Sequence, residues 1–76
     1  MEEFYAVLYE KIKEQVNPTV YIVWFSDIIF NLKDGILEVK SPNQFKSKVV
    51  ENEFAGLLKQ IITEIVSENI ELKFTY

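Results

Sequence analysis

The chain has 76 residues, a formal net charge of -4, and neither cysteine nor histidine. This length suits a single domain over residues 1–76. The absence of cysteine and histidine excludes disulfides, thiol nucleophiles and imidazole ligands, so we expect no enzyme, no metal site and no cofactor. The acidity and the absence of arginine argue against general nucleic-acid affinity. The longest apolar run, Val20 to Phe25, is too short to span a membrane, so we expect a cytoplasmic protein.

The first part of the chain predicts two helices. From Glu2 to Val16, apolar residues recur on one helical face; they are Tyr5, Leu8, Tyr9, Ile12 and Val16. Asn17-Pro18 is typical of an N-cap followed by a first helical position. The β-branched and aromatic segment Val20 to Phe25 favours a strand by propensity, whereas the cap favours a short buried helix. The cap, together with a family resemblance, leads us to predict the helix, with Trp24 in the core.

The middle of the chain predicts a β-hairpin. Two apolar segments, Ile28 to Leu32 and Ile36 to Lys40, flank Lys33-Asp34-Gly35. Asp-Gly readily adopts the positive φ angles of a tight turn between antiparallel strands.

The last part predicts a long helix and a strand. Ser41-Pro42 repeats the cap-plus-proline signal and opens the helix, in which a bend near Glu51-Asn52 is compatible with the pattern. Its apolar residues are Phe45, Val49, Phe54, Leu57, Leu58, Ile61, Ile62, Ile65 and Val66. After a turn at residues 67–69, apolar residues alternate with polar ones, which is typical of a strand with one buried face. That face is formed by Ile70, Leu72, Phe74 and Tyr76.

The predicted fold class is therefore α+β. The element order is α-α-β-β-α-β, and the simplest packing is a three-stranded sheet with helices on one face. Strand order and handedness do not follow from the sequence.

Three features together resemble one known family. They are Trp24-Phe25, the Asp34-Gly35 hairpin, and the run Ser-Pro-Asn-Gln-Phe at residues 41–45, which is the most specific of the three. In these features and in its element order, the chain resembles the N-terminal domain (domain I) of the bacterial chromosomal replication initiator DnaA. The resemblance covers essentially the whole chain.

The resemblance implies a function and a set of residues. It implies a domain of KH-like topology that mediates self-association of the initiator and recruits the replicative helicase and replication regulators, without recognising the origin itself. The helicase-contacting phenylalanine of the family falls on Phe45, and Asn43 lies on the same surface. The self-association aromatic falls on Tyr5, where the family typically has tryptophan, and this departure weakens the expected role. The sequence is compatible with a monomer and with a weak homodimer. An acidic helicase-binding residue of some members falls on Val20 and is not carried over.

Each of these residues also has a simpler interpretation. Phe45 and Tyr5 suit ordinary packing of a helix start as well as an interface. Lys46 joins the predicted partner-binding residues as a neighbour of Phe45, although Lys40, Lys46 and Lys48 are also typical of a solvated face. An alternative function is weak, KH-like binding of single-stranded nucleic acid through these lysines, but Gly35 and Gly56 are isolated and form no GXXG loop.

Overall fold

The computed structural model describes residues 2–76 and has the predicted α+β architecture. Helix α1 covers Glu2–Gln15, α2 covers Pro18–Val20 and continues as a π-helix over Tyr21–Phe25, and α3 covers Gln44–Ile65. The strands are β1 (Ile29–Lys33), β2 (Ile36–Lys40) and β3 (Glu71–Thr75). This order confirms the predicted α-α-β-β-α-β arrangement. No helix within residues 2–76 is both long enough and apolar enough to cross a membrane.

The three strands form one sheet in the order β1-β2-β3. Strands β1 and β2 are antiparallel, with Lys33 opposite Ile36, so Asp34 and Gly35 form a two-residue turn. Both turn residues have positive φ angles, 53° and 76°, as the Asp-Gly pair predicts. Strand β3 runs parallel to β2, with Leu37 opposite Leu72. This parallel pairing requires a crossover, and α3 provides it.

One face of the sheet packs against the helices. The inner-face residues of the central strand, Leu37 and Val39, are fully buried, whereas Ile36 and Lys40 on the outer face are exposed. The core joins this inner face to α1, the π-helix and α3. Its fully or almost fully buried members are Leu8, Ile12, Phe25, Ile28, Phe30, Leu37, Val39, Val50, Leu58, Ile61 and Ile62.

The segment at residues 18–25 is helical, against its strand propensity. Asn17 caps it, since its Oδ1 accepts a hydrogen bond from Val20 N at 2.8 Å. The wider π-helical turn is closed by Ser26 N, which donates to Tyr21 O at 3.0 Å. Phe25 points into the core and packs edge-to-face on Phe54 at a centroid distance of 4.9 Å. Burial of this ring and the cap together outweigh the β-propensity of the segment.

The predicted cap of α3 at Ser41 is wrong, and Asn43 takes that role. Asn43 Oδ1 accepts from Lys46 N at 2.9 Å, and the helix begins at Gln44. Ser41, the residue after β2, is buried, and its backbone N–H donates to Thr75 O of β3 at 2.9 Å. From Gln44, α3 continues to Ile65 without interruption.

Two predicted core residues are less buried than expected. Trp24 packs against the core but is only half-buried, because Phe25 takes the inward position of the π-helix. Tyr76 lies beyond the end of β3 and is 63% exposed, whereas Leu72 and Phe74 pack against the core on the predicted buried face.

Candidate functional site

The most exposed large apolar side chain of the described residues is Phe45, in the first turn of α3. It is 71% exposed, so the interpretation of Phe45 as a core residue is wrong. The inward stripe of α3 instead runs through Val50, Leu58, Ile61 and Ile62, and Phe45 does not belong to it. The ring of Phe45 lies beside that of Trp24, with 6.5 Å between centroids and a 44° tilt. Two aromatic side chains thus form a common surface across the π-helix and α3.

Beside this aromatic pair, an ion pair links α3 to the segment that follows the π-helix. Lys46 Nζ lies 2.9 Å from Asp27 Oδ2, and Ser26 Oγ lies 3.1 Å from Asp27 Oδ1. The hydrogen bond from Lys46, the contact with Ser26 and the charge of Lys46 together hold the pKa of Asp27 below its ordinary value. We call the residues Trp24, Asp27, Asn43, Phe45 and Lys46 the α3 surface.

Three of the predicted partner-binding residues, Asn43, Phe45 and Lys46, lie together on the α3 surface. Asn43 is exposed, although its side-chain oxygen is used by the helix cap. Lys46 is half-buried and its charge is compensated by Asp27, so it positions the surface more than it adds positive charge. Lys40 and Lys48 are exposed, on β2 and α3 respectively. The compensation of Lys46 weakens the basic patch on which binding of single-stranded nucleic acid would depend.

Tyr5 lies apart from the α3 surface, on the side of α1 that covers β1. Its hydroxyl accepts a hydrogen bond from Leu32 N at 2.8 Å, and its ring is half-buried against Phe4 with 5.5 Å between centroids. One turn further along α1, the Tyr9 hydroxyl donates to Ile28 O at 2.6 Å. Burial, followed by the nearby Tyr21, raises the pKa of Tyr9. These contacts favour the packing interpretation of Tyr5, which thereby has a structural role whether or not it also meets a partner.

Asp27 and Trp24 are members of this site that the sequence does not predict. Asp27 lies 19 positions before Lys46 in the sequence, and no local pattern links the two. Trp24 stands in the most apolar segment of the chain, where hydrophobicity alone predicts burial. Only the fold shows that the Trp24 ring lies beside the exposed ring of Phe45.

Comparison with known proteins identifies the family. The chain is 32% identical over 66 residues to the chromosomal replication initiator protein DnaA of Bacteroides thetaiotaomicron, covering 86% of this chain and 14% of that protein. Initiators from Magnetococcus marinus and Herminiimonas arsenicoxydans are 28% and 25% identical, and each match covers 97% of this chain. This chain is a homologue of the DnaA N-terminal domain.

The match covers only a small part of each DnaA protein. The chain spans 16% and 17% of the lengths of the Herminiimonas and Magnetococcus proteins. No family model matches the chain. Homology therefore places the chain in the context of replication initiation, while partners and activities of a whole DnaA protein are matters of proposal.

Proposed function

We propose that this chain is a protein-interaction module of a replication initiator, which recruits the replicative helicase and regulators and contributes to self-association of the initiator. It acts through surface contacts and not through catalysis. The observation that carries the proposal is the exposure of Phe45 in a chain related to DnaA. A phenylalanine that is 71% exposed leaves a large apolar area in water, and burial of that area against a partner is favourable.

The surroundings of Phe45 support its use as an anchor. The Asn43 cap fixes the first turn of α3, and the Lys46–Asp27 ion pair fixes that turn against the segment after the π-helix. The neighbouring Trp24 ring restricts the space that the Phe45 ring can explore on one side. Since ordering of a mobile side chain opposes binding, an aromatic ring on a rigid helix start suits a small interface.

The experiment that tests the helicase role is a titration of the ¹⁵N-labelled chain with the cognate replicative helicase, followed by NMR. We expect chemical-shift changes around Asn43, Phe45 and Trp24, and micromolar affinity that several initiator copies would strengthen by avidity. Phe45→Ala should weaken binding by roughly tenfold to a hundredfold, the equivalent of about 1.5–3 kcal/mol of apolar burial.

Ile36→Ala is the matched control for this titration. Ile36 is 39% exposed on the outer face of β2, at the hairpin end of the sheet, so it presents an apolar side chain away from the α3 surface. Its substitution should leave helicase binding unchanged. Equal losses in the two variants, or no shifts at hundreds of micromolar helicase, would reject recruitment through the α3 surface.

A further inference from the structure

The two edge strands of the sheet, β1 and β3, differ in how many of their outward-facing backbone groups are hydrogen-bonded to the rest of the domain. At β1, the outward-facing Ile28 carbonyl and Leu32 N–H are bonded to the hydroxyls of Tyr9 and Tyr5. At β3, within residues 2–76, the strand has a sheet neighbour on one side only. An uncovered edge of this kind is a template for pairing with another strand.

The register of β3 identifies which of its backbone groups face outward. Glu71 N donates to Gly35 O, and Thr75 O accepts from Ser41 N. In a parallel ladder the groups of alternate residues face the same neighbour, so Glu71, Lys73 and Thr75 are bonded to the β2 side. The N–H and C=O groups of the intervening residues, Ile70, Leu72 and Phe74, therefore face the open edge.

We propose that this edge pairs with β3 of a second copy of the chain, antiparallel and centred on Leu72. This register sets Leu72 opposite Leu72, and Ile70 opposite the partner's Phe74. All outward-facing N–H and C=O groups of these residues then find a partner, because directly opposed residues in such pairs exchange both hydrogen bonds. The proposal names a surface for the self-association proposed above, and it rests on that part of the proposed function.

The side chains of β3 are complementary to themselves in this register. On the outer face, Glu71 lies opposite the partner's Lys73, and by symmetry Lys73 lies opposite the partner's Glu71. These are non-hydrogen-bonded pairs, in which the side chains approach closest. On the inner face only apolar residues meet. The neighbouring antiparallel register, centred on Lys73, would instead set lysine opposite lysine, so charge selects the proposed one.

The groove beside β3 continues this complementarity. It has a volume of about 480 Å³ and is bounded by β3 on one side and by Glu51, Ala55 and Lys59 of α3 on the other. Helix α3 and β3 run in opposite directions, since a short turn joins them, so Glu51 lies toward the Phe74 end and Lys59 toward the Ile70 end. A twofold axis through Leu72 brings the acidic end of one groove to the basic end of the other.

Two charge reversals test the pairing, and they are to be studied singly and mixed. Glu71→Lys sets lysine against the partner's Lys73, and Lys73→Glu sets glutamate against the partner's Glu71. Sedimentation analysis at low ionic strength should show that each variant alone dimerises about tenfold more weakly than the original chain. An equimolar mixture should regain association, because the heterodimer restores opposite charges at both positions.

Amide hydrogen exchange adds a readout with residue resolution. As the concentration of the original chain rises, exchange at Leu72 and Phe74 should slow, whereas exchange at Lys73, already bonded within the sheet, should stay constant. A chain that remains monomeric up to about a millimolar, or a dimer that neither charge reversal weakens, overturns the proposal. A dimer lost on Tyr5→Ala but kept in both charge variants places the contact on α1 and also overturns it. Helicase binding through Phe45 is measured separately, so failure of edge pairing leaves that result interpretable.

Discussion

At the scale of single residues, the first turn of α3 combines an exposed apolar side chain, Phe45, with a backbone held in place by polar contacts. The side chains that hold it, Asn43, Lys46 and Asp27, are polar, and each makes a defined contact. Phe45 stands among them and contributes little to the core. Substitutions in this turn should therefore separate folding from binding more cleanly than substitutions in the inward stripe of α3.

The Lys46–Asp27 ion pair gives a prediction in acid. Because the pKa of Asp27 is lowered in the folded chain, its ionised form stabilises the fold above the ordinary carboxyl value of 3.8, and this contribution is lost as the pH falls through the folded pKa. Lys46→Met removes the hydrogen bond and the charge of Lys46, which both lower the pKa of Asp27, and keeps the contact with Ser26. An NMR titration of the Asp27 carboxyl should show a midpoint below 3.8 in the original chain and a higher one in the variant. Equal midpoints would mean that the ion pair does not persist in solution.

At the scale of elements, the two glycines of the chain play opposite parts. Gly35 has a φ of +76° in the hairpin turn, a region that other residues enter at a cost. Gly56 lies in the middle of α3, where helical backbone suits any residue and an added Cβ would meet no atom within 4 Å.

The same substitution should consequently have opposite effects at these positions. Gly35→Ala should destabilise the domain by about 1 kcal/mol or more through strain at positive φ. Gly56→Ala should stabilise it by about 0.5–1 kcal/mol, because alanine loses less backbone freedom in a helix. Urea unfolding of the two variants beside the original chain measures both. A destabilising Gly56→Ala would show that this part of α3 is more crowded than its surroundings indicate.

Elements with local signals could be predicted from the sequence, and those set by distant contacts could not. Asp34-Gly35 carries the conformation of its turn within two residues, so the hairpin was predicted to within one residue at β1. Asn17 likewise predicted a helix start. Ser41 failed as a cap because its N–H is bonded to Thr75, which lies far along the chain. The π-helical turn at Tyr21–Phe25 depends on how Phe25 meets Phe54, and no local pattern reports that contact.

The candidate site shows the same division. Phe45 and Asn43 were found through resemblance to a family, since residue type alone favours a core position for Phe45 and gives no role to Asn43. The exposure of Phe45 and the presence of Trp24 and Asp27 beside it result from the docking of the π-helix on α3. That docking joins residues about 20 positions apart, and it is visible only once the fold is known.

At the scale of the whole molecule, stability depends on one small core beneath one face of the sheet. A domain of 76 residues has a total stability of only about 4–11 kcal/mol. Leu37 lies at the centre of this core on the middle strand and is fully buried, whereas its neighbour Ile36 is 39% exposed on the other face.

Truncation of Leu37 and of Ile36 to alanine should lower the free energy of unfolding by very different amounts. Leu37→Ala should cost about 2–5 kcal/mol, enough to bring the domain close to unfolding. Ile36→Ala removes a side chain of the same size from the open face and should cost less than about 1 kcal/mol. Chemical denaturation monitored by Trp24 fluorescence compares them. Similar losses in the two variants would show that the outer face of the sheet is covered in solution.

The unequal edges of the sheet also bear on aggregation. Growth of a sheet into a fibre requires two open edges on every molecule, so that each added chain offers a new template. Here the hydroxyls of Tyr5 and Tyr9 are bonded to the Leu32 N–H and the Ile28 carbonyl, so two of the outward-facing backbone groups at the β1 edge are already used. Strand β3 is therefore the more open edge of the two. When a second copy joins through its own β3, the paired sheet has a β1 strand at each end, so further addition of strands is disfavoured.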